Sequence, residues 1–156
     1  MKNEKFKKLS DRKTVVDLIP YIKNYFDENP DHSLYIGTDS QNVKNFSVYG
    51  IVIVFHKNNK GGHVLYTKRS IPRIPSSEKF TRLLKEAEYS IELADYLVVN
   101  GIQKPTFIDL DLNPDPKYGS NQVLRAAVGW VEGMGYKARI KPNSLVASYV
   151  ADLVCK

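Results

Sequence analysis

The chain has 156 residues, 42% of them hydrophobic, 11% aromatic and 26% charged, which is the length of one domain at roughly 100 to 200 residues per domain and a composition that excludes a mainly disordered chain. No run of about 18 apolar residues occurs, so no membrane-spanning helix is expected, and a single cysteine, Cys155, excludes an intramolecular disulfide and a cysteine-based metal site. Twenty-three Lys and Arg against seventeen Asp and Glu leave a net charge of +6, a balance that favours a polyanionic partner, nucleic acid first.

One domain is expected over 1–156, with 1–30 a basic lead-in and a peripheral helix and 34–156 the core. Val15, Val16, Leu18, Ile19, Ile22 and Phe26 recur at helical spacing, and Asn29-Pro30 stops that helix. Residues 34–39 read as a short buried strand, 42–45 as a turn, and 46–55, rich in Val, Ile and Tyr, as a longer strand. The turn Lys57-Asn58-Asn59-Lys60-Gly61-Gly62 leads to a third strand at 63–71, whose mixed pattern suits a sheet edge. Ser77 is placed to cap a long helix that ends at Asn100-Gly101, with a core stripe of Leu84, Ala87, Ile91, Ala94 and Val98. A fourth strand covers 106–112. Ser120 caps a helix carrying Val123, Ala127, Val128 and Val131, and a fifth strand at 136–141 sets Lys137, Arg139 and Lys141 on one face. A last helix covers 145–156. A three-strand meander followed by right-handed crossovers gives a mixed five-stranded α/β sheet flanked by helices, with one extra helix in front.

Carboxylates inside apolar segments need an explanation, because Asp and Glu are rarely buried without one. Asp39 ends Leu34-Tyr35-Ile36-Gly37-Thr38-Asp39. Asp111 sits in Phe107-Ile108-Asp109-Leu110-Asp111-Leu112, with Asp109 on the same strand face. On the long helix Glu86 shares a side with Ser90, Leu93 and Leu97, whereas Glu88 falls with Asp95 on a solvated side. Asp152 lies beside Leu145, Ser148 and Tyr149 in the last helix. Each has an ordinary explanation as a cap or a surface ion pair. Together they suggest a site, since the first and fourth strands are expected side by side and parallel, at the switch point where open α/β sheets build sites. Carboxylates crowded there repel unless a divalent cation neutralises them, and oxygen-only ligation points to Mg2+ or Mn2+.

Four stretches carry a resemblance. Ile36-Gly37-Thr38-Asp39-Ser40-Gln41, the Asp111-Leu112-Asn113-Pro114 turn, Val128-Gly129-Trp130-Val131-Glu132-Gly133-Met134-Gly135-Tyr136 and the ending Lys141-Pro142-Asn143-Ser144-Leu145-Val146-Ala147-Ser148-Tyr149-Val150-Ala151-Asp152 resemble, in that order, the bacterial YkuK family of the ribonuclease H-like superfamily. The resemblance implies the ribonuclease H-like fold, with strand order 3-2-1-4-5 and strand two antiparallel. It also implies that the catalytic, metal-binding carboxylates are Asp39, Glu86, Asp111 and Asp152, with Asp109 and Glu88 as the alternatives at two of these positions. Asp39 would bridge two ions, Glu86 and Asp111 would hold one, and Asp152 the other. The activity implied is metal-dependent nuclease chemistry. The chain departs from true ribonucleases H by having Lys141-Pro142-Asn143-Ser144 where they carry a His, and it lacks an obvious basic handle for hybrid duplexes.

Lys68, Arg69 and Arg73, with Lys137, Arg139 and Lys141, are the candidates for phosphate contacts; solubilising an edge strand is their ordinary role. His32, His56 and His63 have no metal-ligand spacing, Ser40 lies in no Gly-x-Ser-x-Gly elbow, and no Walker-type loop is present. The competing reading is a nucleic-acid-binding protein that keeps the fold without turnover. The opening Met1-Lys2-Asn3-Glu4-Lys5 has no hydrophobic segment behind it, so a reducing cytoplasm is the expected compartment.

Overall fold

Alternation along the apolar runs decides this architecture. The structure, a computed structural model, describes residues 1–58, 60–117, 121–143, 150–151 and 154–155. In chain order the elements are β1 (Lys7–Lys8), α1 (Leu18–Glu28), β2 (Ser33–Val43), β3 (Phe46–Lys57), β4 (Lys60–Pro72), α2 (Lys79–Val99), β5 (Phe107–Asp109), α3 (Asn121–Gly133) and β6 (Ala138–Arg139). Residues 150–151 and 154–155 are also helical and belong to a terminal segment.

The strands form one mixed sheet in the order β1-β4-β3-β2-β5-β6. β2, β3 and β4 make an antiparallel meander, while β5 lies parallel to β2 and β6 parallel to β5. Successive side chains of β3 point to opposite faces, so Tyr49, Ile51, Ile53 and Phe55 enter a large cluster beneath α1, α2 and α3, while Val52 and Val54 join Tyr66, Ala151 and Val154 on the other face. Burial of each Ile or Phe here contributes about 1.5–3 kcal/mol. Gly50 is required by a close approach. A Cβ there would stand 2.9 Å from the Ala151 carbonyl oxygen and 3.1 Å from the Cys155 nitrogen, so only glycine lets the terminal segment rest on the sheet.

Several expectations are corrected. The sheet has six strands, because the lead-in contributes β1, held by Phe6, which is 1% exposed and accepts a 2.8 Å hydrogen bond from the Val15 N–H. That same bond draws Val15 away from the first helix, which starts at Leu18 and leaves Val16 94% exposed. β2 continues to Val43, so the turn shrinks to Lys44-Asn45, with Lys44 at φ 51°. Ser77 does not cap α2; it lies in a short 3-10 turn over Ser76–Glu78, and Glu78 occupies the cap position without a side-chain bond. Of the expected stripe of α2, Ala87, Ile91 and Ala94 are buried and Leu84 and Val98 half-buried, and the buried side also takes in Leu83, Glu86, Ser90, Leu93 and Leu97. The fourth and fifth strands are shorter than their apolar runs. Ser120, Ser144 and, of the last helix expected over 145–156, residues 145–149, 152–153 and 156 lie outside the described residues.

α2 ends as the Asn-Gly pair foretells. The Gly101 N–H donates to the Val98 oxygen and the Ile102 N–H to the Leu97 oxygen, with Gly101 at φ 86°, a backbone region that disfavours any side chain. The polypeptide is thereby turned into β5.

Candidate functional site

The parallel register Gly37↔Asp109 fixes the columns of the site. Two residues further along each chain stand Asp39 and Asp111, the second just beyond the end of β5. Alternation along β2 sends Thr38 and Ser40 towards α2, where Thr38 Oγ1 lies 2.8 Å from Ser90 Oγ. Asp39 takes the opposite face with the terminal segment, whose Cys155 thiol donates to the Asp39 carbonyl at 2.8 Å and accepts from the Gly50 N–H at 3.1 Å.

Glu86 is the buried acid of the site, 3% exposed. Ser40 Oγ donates to its Oε1 at 2.5 Å. Arg82, one turn earlier on α2, donates to the Ser40 carbonyl at 2.7 Å and to Ser40 Oγ at 2.5 Å, while its Nη1 stands 3.9 Å from Glu86 Oε1. Burial pushes the Glu86 carboxyl well above the usual carboxylate range, and the negative charge of Asp39 pushes it further. The Ser40 hydrogen bond and Arg82 oppose this, and Asp111 adds to it. Glu86 therefore feels the fields of both strand aspartates. Burial, and then the charge of Asp39, push the Cys155 thiol up to about 12.

The aspartate that ends β5 and the one just beyond it differ sharply. Asp109 is 0% exposed and held by Arg139, with Nε 2.7 Å from Oδ1 and Nη2 2.8 Å from Oδ2. Asp111 is half-buried and pairs with Lys141 Nζ at 2.5 Å. Glu88 pairs with Lys85 at 3.3 Å near the surface. Asp152 lies outside the described residues. Among the described residues no three His, Cys, Asp or Glu side chains form a group able to hold a metal ion.

The expected phosphate contacts are also redistributed. Lys68 and Lys137 are exposed. Arg69 points to the opposite face from Lys68, where it bonds Glu4 at 2.7 Å and Glu92 at 2.9 Å and covers the Tyr89 ring at 4.4 Å. Arg73 donates to the Lys44 carbonyl at 2.8 Å. Arg139 lies over the Tyr35 and Phe107 rings, 4.7 and 4.9 Å from their centroids, besides holding Asp109. Two participants escaped sequence reading: Ser40, weighed only as a nucleophile, and Arg82, whose i,i+4 spacing to Glu86 was the available signal. No helix among the described residues is long and apolar enough to cross a membrane.

Comparison with known proteins places these observations in a family. The family model described as Ribonuclease H-like matches residues 17–156. The chain is similar to "Uncharacterized protein YkuK" of Bacillus subtilis (strain 168), with 23% identity over 158 residues, covering 92% of this chain and 91% of that protein. No solved structure matches the chain significantly.

Proposed function

The chain belongs to the ribonuclease H-like family, and from that premise we propose that it hydrolyses phosphodiester bonds of nucleic acid with the help of divalent metal ions. The observation that carries this reading is the placement of Glu86, an acid 3% exposed and bonded by Ser40, the residue next to Asp39, on the strand whose register also brings Asp111 alongside. An arrangement in which carboxylates burden one another serves no packing purpose and suits a cation. The donor set also fits, since Asp39, Glu86, Asp111 and, in the terminal segment, Asp152 offer oxygen only, the preference of Mg2+ and Mn2+. These four residues would hold the ions, which when bound would neutralise the acids, activate water and stabilise the leaving oxygen.

The chain's own groups prepare that chemistry. Ser40 aims the Glu86 carboxylate, and Arg82 fixes Ser40 through its backbone and its hydroxyl. Lys141 restrains Asp111 in the loop after β5. The net charge of +6 surrounds this acidic centre with a field that attracts a phosphate backbone.

The test is a panel of labelled RNA, DNA, hybrid and junction substrates incubated with Mg2+ or Mn2+, with Asp39→Asn alongside. Metal-dependent cleavage lost in the variant is expected, together with a Tm that Mn2+ raises in the wild type and much less in the variant. No cleavage of any substrate, with equal Mn2+ effects on both proteins, refutes the proposal. One observation favours a second reading, a nucleic-acid-binding protein without turnover: the Lys141 ammonium already sits on Asp111, where a metal cation would be needed.

A further inference from the structure

A second cationic feature shares the sheet face of Asp39 and owes most of its charge to the first residues of the chain. Phe6 is buried in the main cluster, which turns its neighbours Lys5 and Lys7 to the other face, where both are exposed. Lys7 pairs with Tyr66 of β4, and the Leu9 N–H donates to the Val64 oxygen at 2.9 Å, so the segment is stitched along the β4 edge. The chain then doubles back through a turn closed by the Arg12 N–H on the Lys8 oxygen at 2.9 Å, with Arg12 at φ 60°. The result is a cleft of about 380 Å3 lined by Lys5, Lys7, Arg12, Tyr66, Thr67 and Lys68.

Among the described residues, four cations and no carboxylate line this cleft. The nearby acids are engaged elsewhere, Asp11 with Lys8 at 3.2 Å and Glu4 with Arg69 at 2.7 Å, and among the described residues none of the four cations forms an ion pair. A left-handed backbone at a residue with a side chain is costly, and such outliers persist where the surroundings use them. Here it closes a ring of like charges that repel without an anion. The cleft is also placed for a substrate. Asp39 pairs with Gly50 and Gly50 with Lys68, so the three share one face in a row across the sheet. Two strand spacings of about 4.8 Å separate Asp39 from Lys68 by roughly 10 Å, which a nucleic-acid strand covers in about three nucleotides at ~3.4 Å each. The terminal segment rests on Gly50 between them, so a strand that joins the two goes around it and spans more than the direct distance.

We infer that this cleft is a phosphate-binding subsite that holds the backbone of a nucleic-acid strand a few nucleotides from the bond addressed at Asp39. The inference rests on the nuclease reading for what happens at Asp39, but not for the binding itself. Lys5, Lys7 and Arg12 precede residues 17–156, the stretch that the family model matches, whereas Tyr66, Thr67 and Lys68 lie within it.

The test titrates the full chain, in EDTA and across a salt series, with short labelled single-stranded and duplex RNA and DNA. Lys68→Ala and Arg12→Gly should each lower the slope of log affinity against log salt by about 0.7–0.9, and Lys5→Ala/Lys7→Ala by about twice that. Arg12→Gly also relieves the left-handed strain, so its Tm should hold or rise while binding weakens; a purely structural Arg12 would move Tm and leave the slope. Wild-type slopes in these variants overturn the inference. So does full competition by inorganic phosphate at a matching concentration of phosphate groups, or preferential binding to anionic vesicles. Cleavage by the wild type with unchanged slopes in the cleft variants refutes the subsite alone, whereas lowered slopes with no cleavage of any substrate refute the nuclease alone.

Discussion

Replacing Asp109 and Asp111 separately by Ala distinguishes a structural acid from a chemical one two residues away. Asp109→Ala removes a carboxylate that is 0% exposed and leaves the Arg139 guanidinium, which lies over two rings, without the two carboxylate oxygens that hold it. Breaking a buried pair by removing one partner costs about 3–5 kcal/mol. The Arg139 side chain keeps 18% of its exposure, which moves the expectation to the lower end, about 3 kcal/mol. At about 2–4 °C per kcal/mol for a chain of this size, the Tm should fall by roughly 6–12 °C. Asp111→Ala removes a pair whose side chains are 46% and 30% exposed, worth at most about 1 kcal/mol, so its Tm should fall by no more than about 4 °C. Thermal melts and urea titrations of both variants, without metal, measure the difference. The double variant Asp109→Ala/Arg139→Met should recover part of the loss, since it removes the stranded charge. Equal destabilisation by the two single variants, or a harmless Asp109→Ala, would refute this division of roles.

Two further predictions concern protons. Glu86 has a folded-state pKa raised by burial and by Asp39, so its contribution to stability is complete below the ordinary value of 4.5 and is lost as pH rises through the raised one; Glu86→Gln should therefore be more stable than the wild type at neutral pH without metal, and a lower Tm would contradict the reasoning. His63 behaves in the opposite sense. Burial, and then the charge of Lys8, lower its pKa from 6.5, in a setting where Nε2 meets the Tyr21 hydroxyl at 2.7 Å and the ring stacks on Tyr25. Its stability contribution is full above 6.5 and is lost as pH falls through the folded-state value, so melts between neutral and mildly acidic pH should show a decline that His63→Gln flattens.

The meander and α2 were legible because long β-branched runs and a helical repeat over more than five turns leave few alternative periods. Asp39 and Glu86 could be found for a related reason, since each is an acid on an apolar face. β1 escaped because two residues carry no period, and their pairing depends on Phe6 finding a pocket formed by distant elements. The Val15 backbone bond to Phe6 similarly overrode a helical pattern that otherwise included Val15 and Val16. The basic residues were the least legible. Lys68 and Arg69 are consecutive in a strand and cannot share a face, and Arg139 reads as a phosphate contact because nothing in the sequence shows that Asp109 lies in the neighbouring column. Lys5, Lys7 and Arg12 meet Lys68 only because the lead-in doubles back on β4, a contact some sixty residues away in sequence.

The two faces of the sheet are packed by different parts of the chain. One carries three helices and a large interlocked cluster, while on the other Val52, Val54 and Tyr66 meet Ala151 and Val154. Asp39 shares that second face, its carbonyl held by the Cys155 thiol, whereas Ser40, Arg82 and Glu86 are bonded to one another on the first. Free energies of local opening follow the apolar contacts that must be broken, so the amides of β2 and β3 exchange with solvent only when the large cluster opens, and the bonds that aim Glu86 persist for as long as that cluster does.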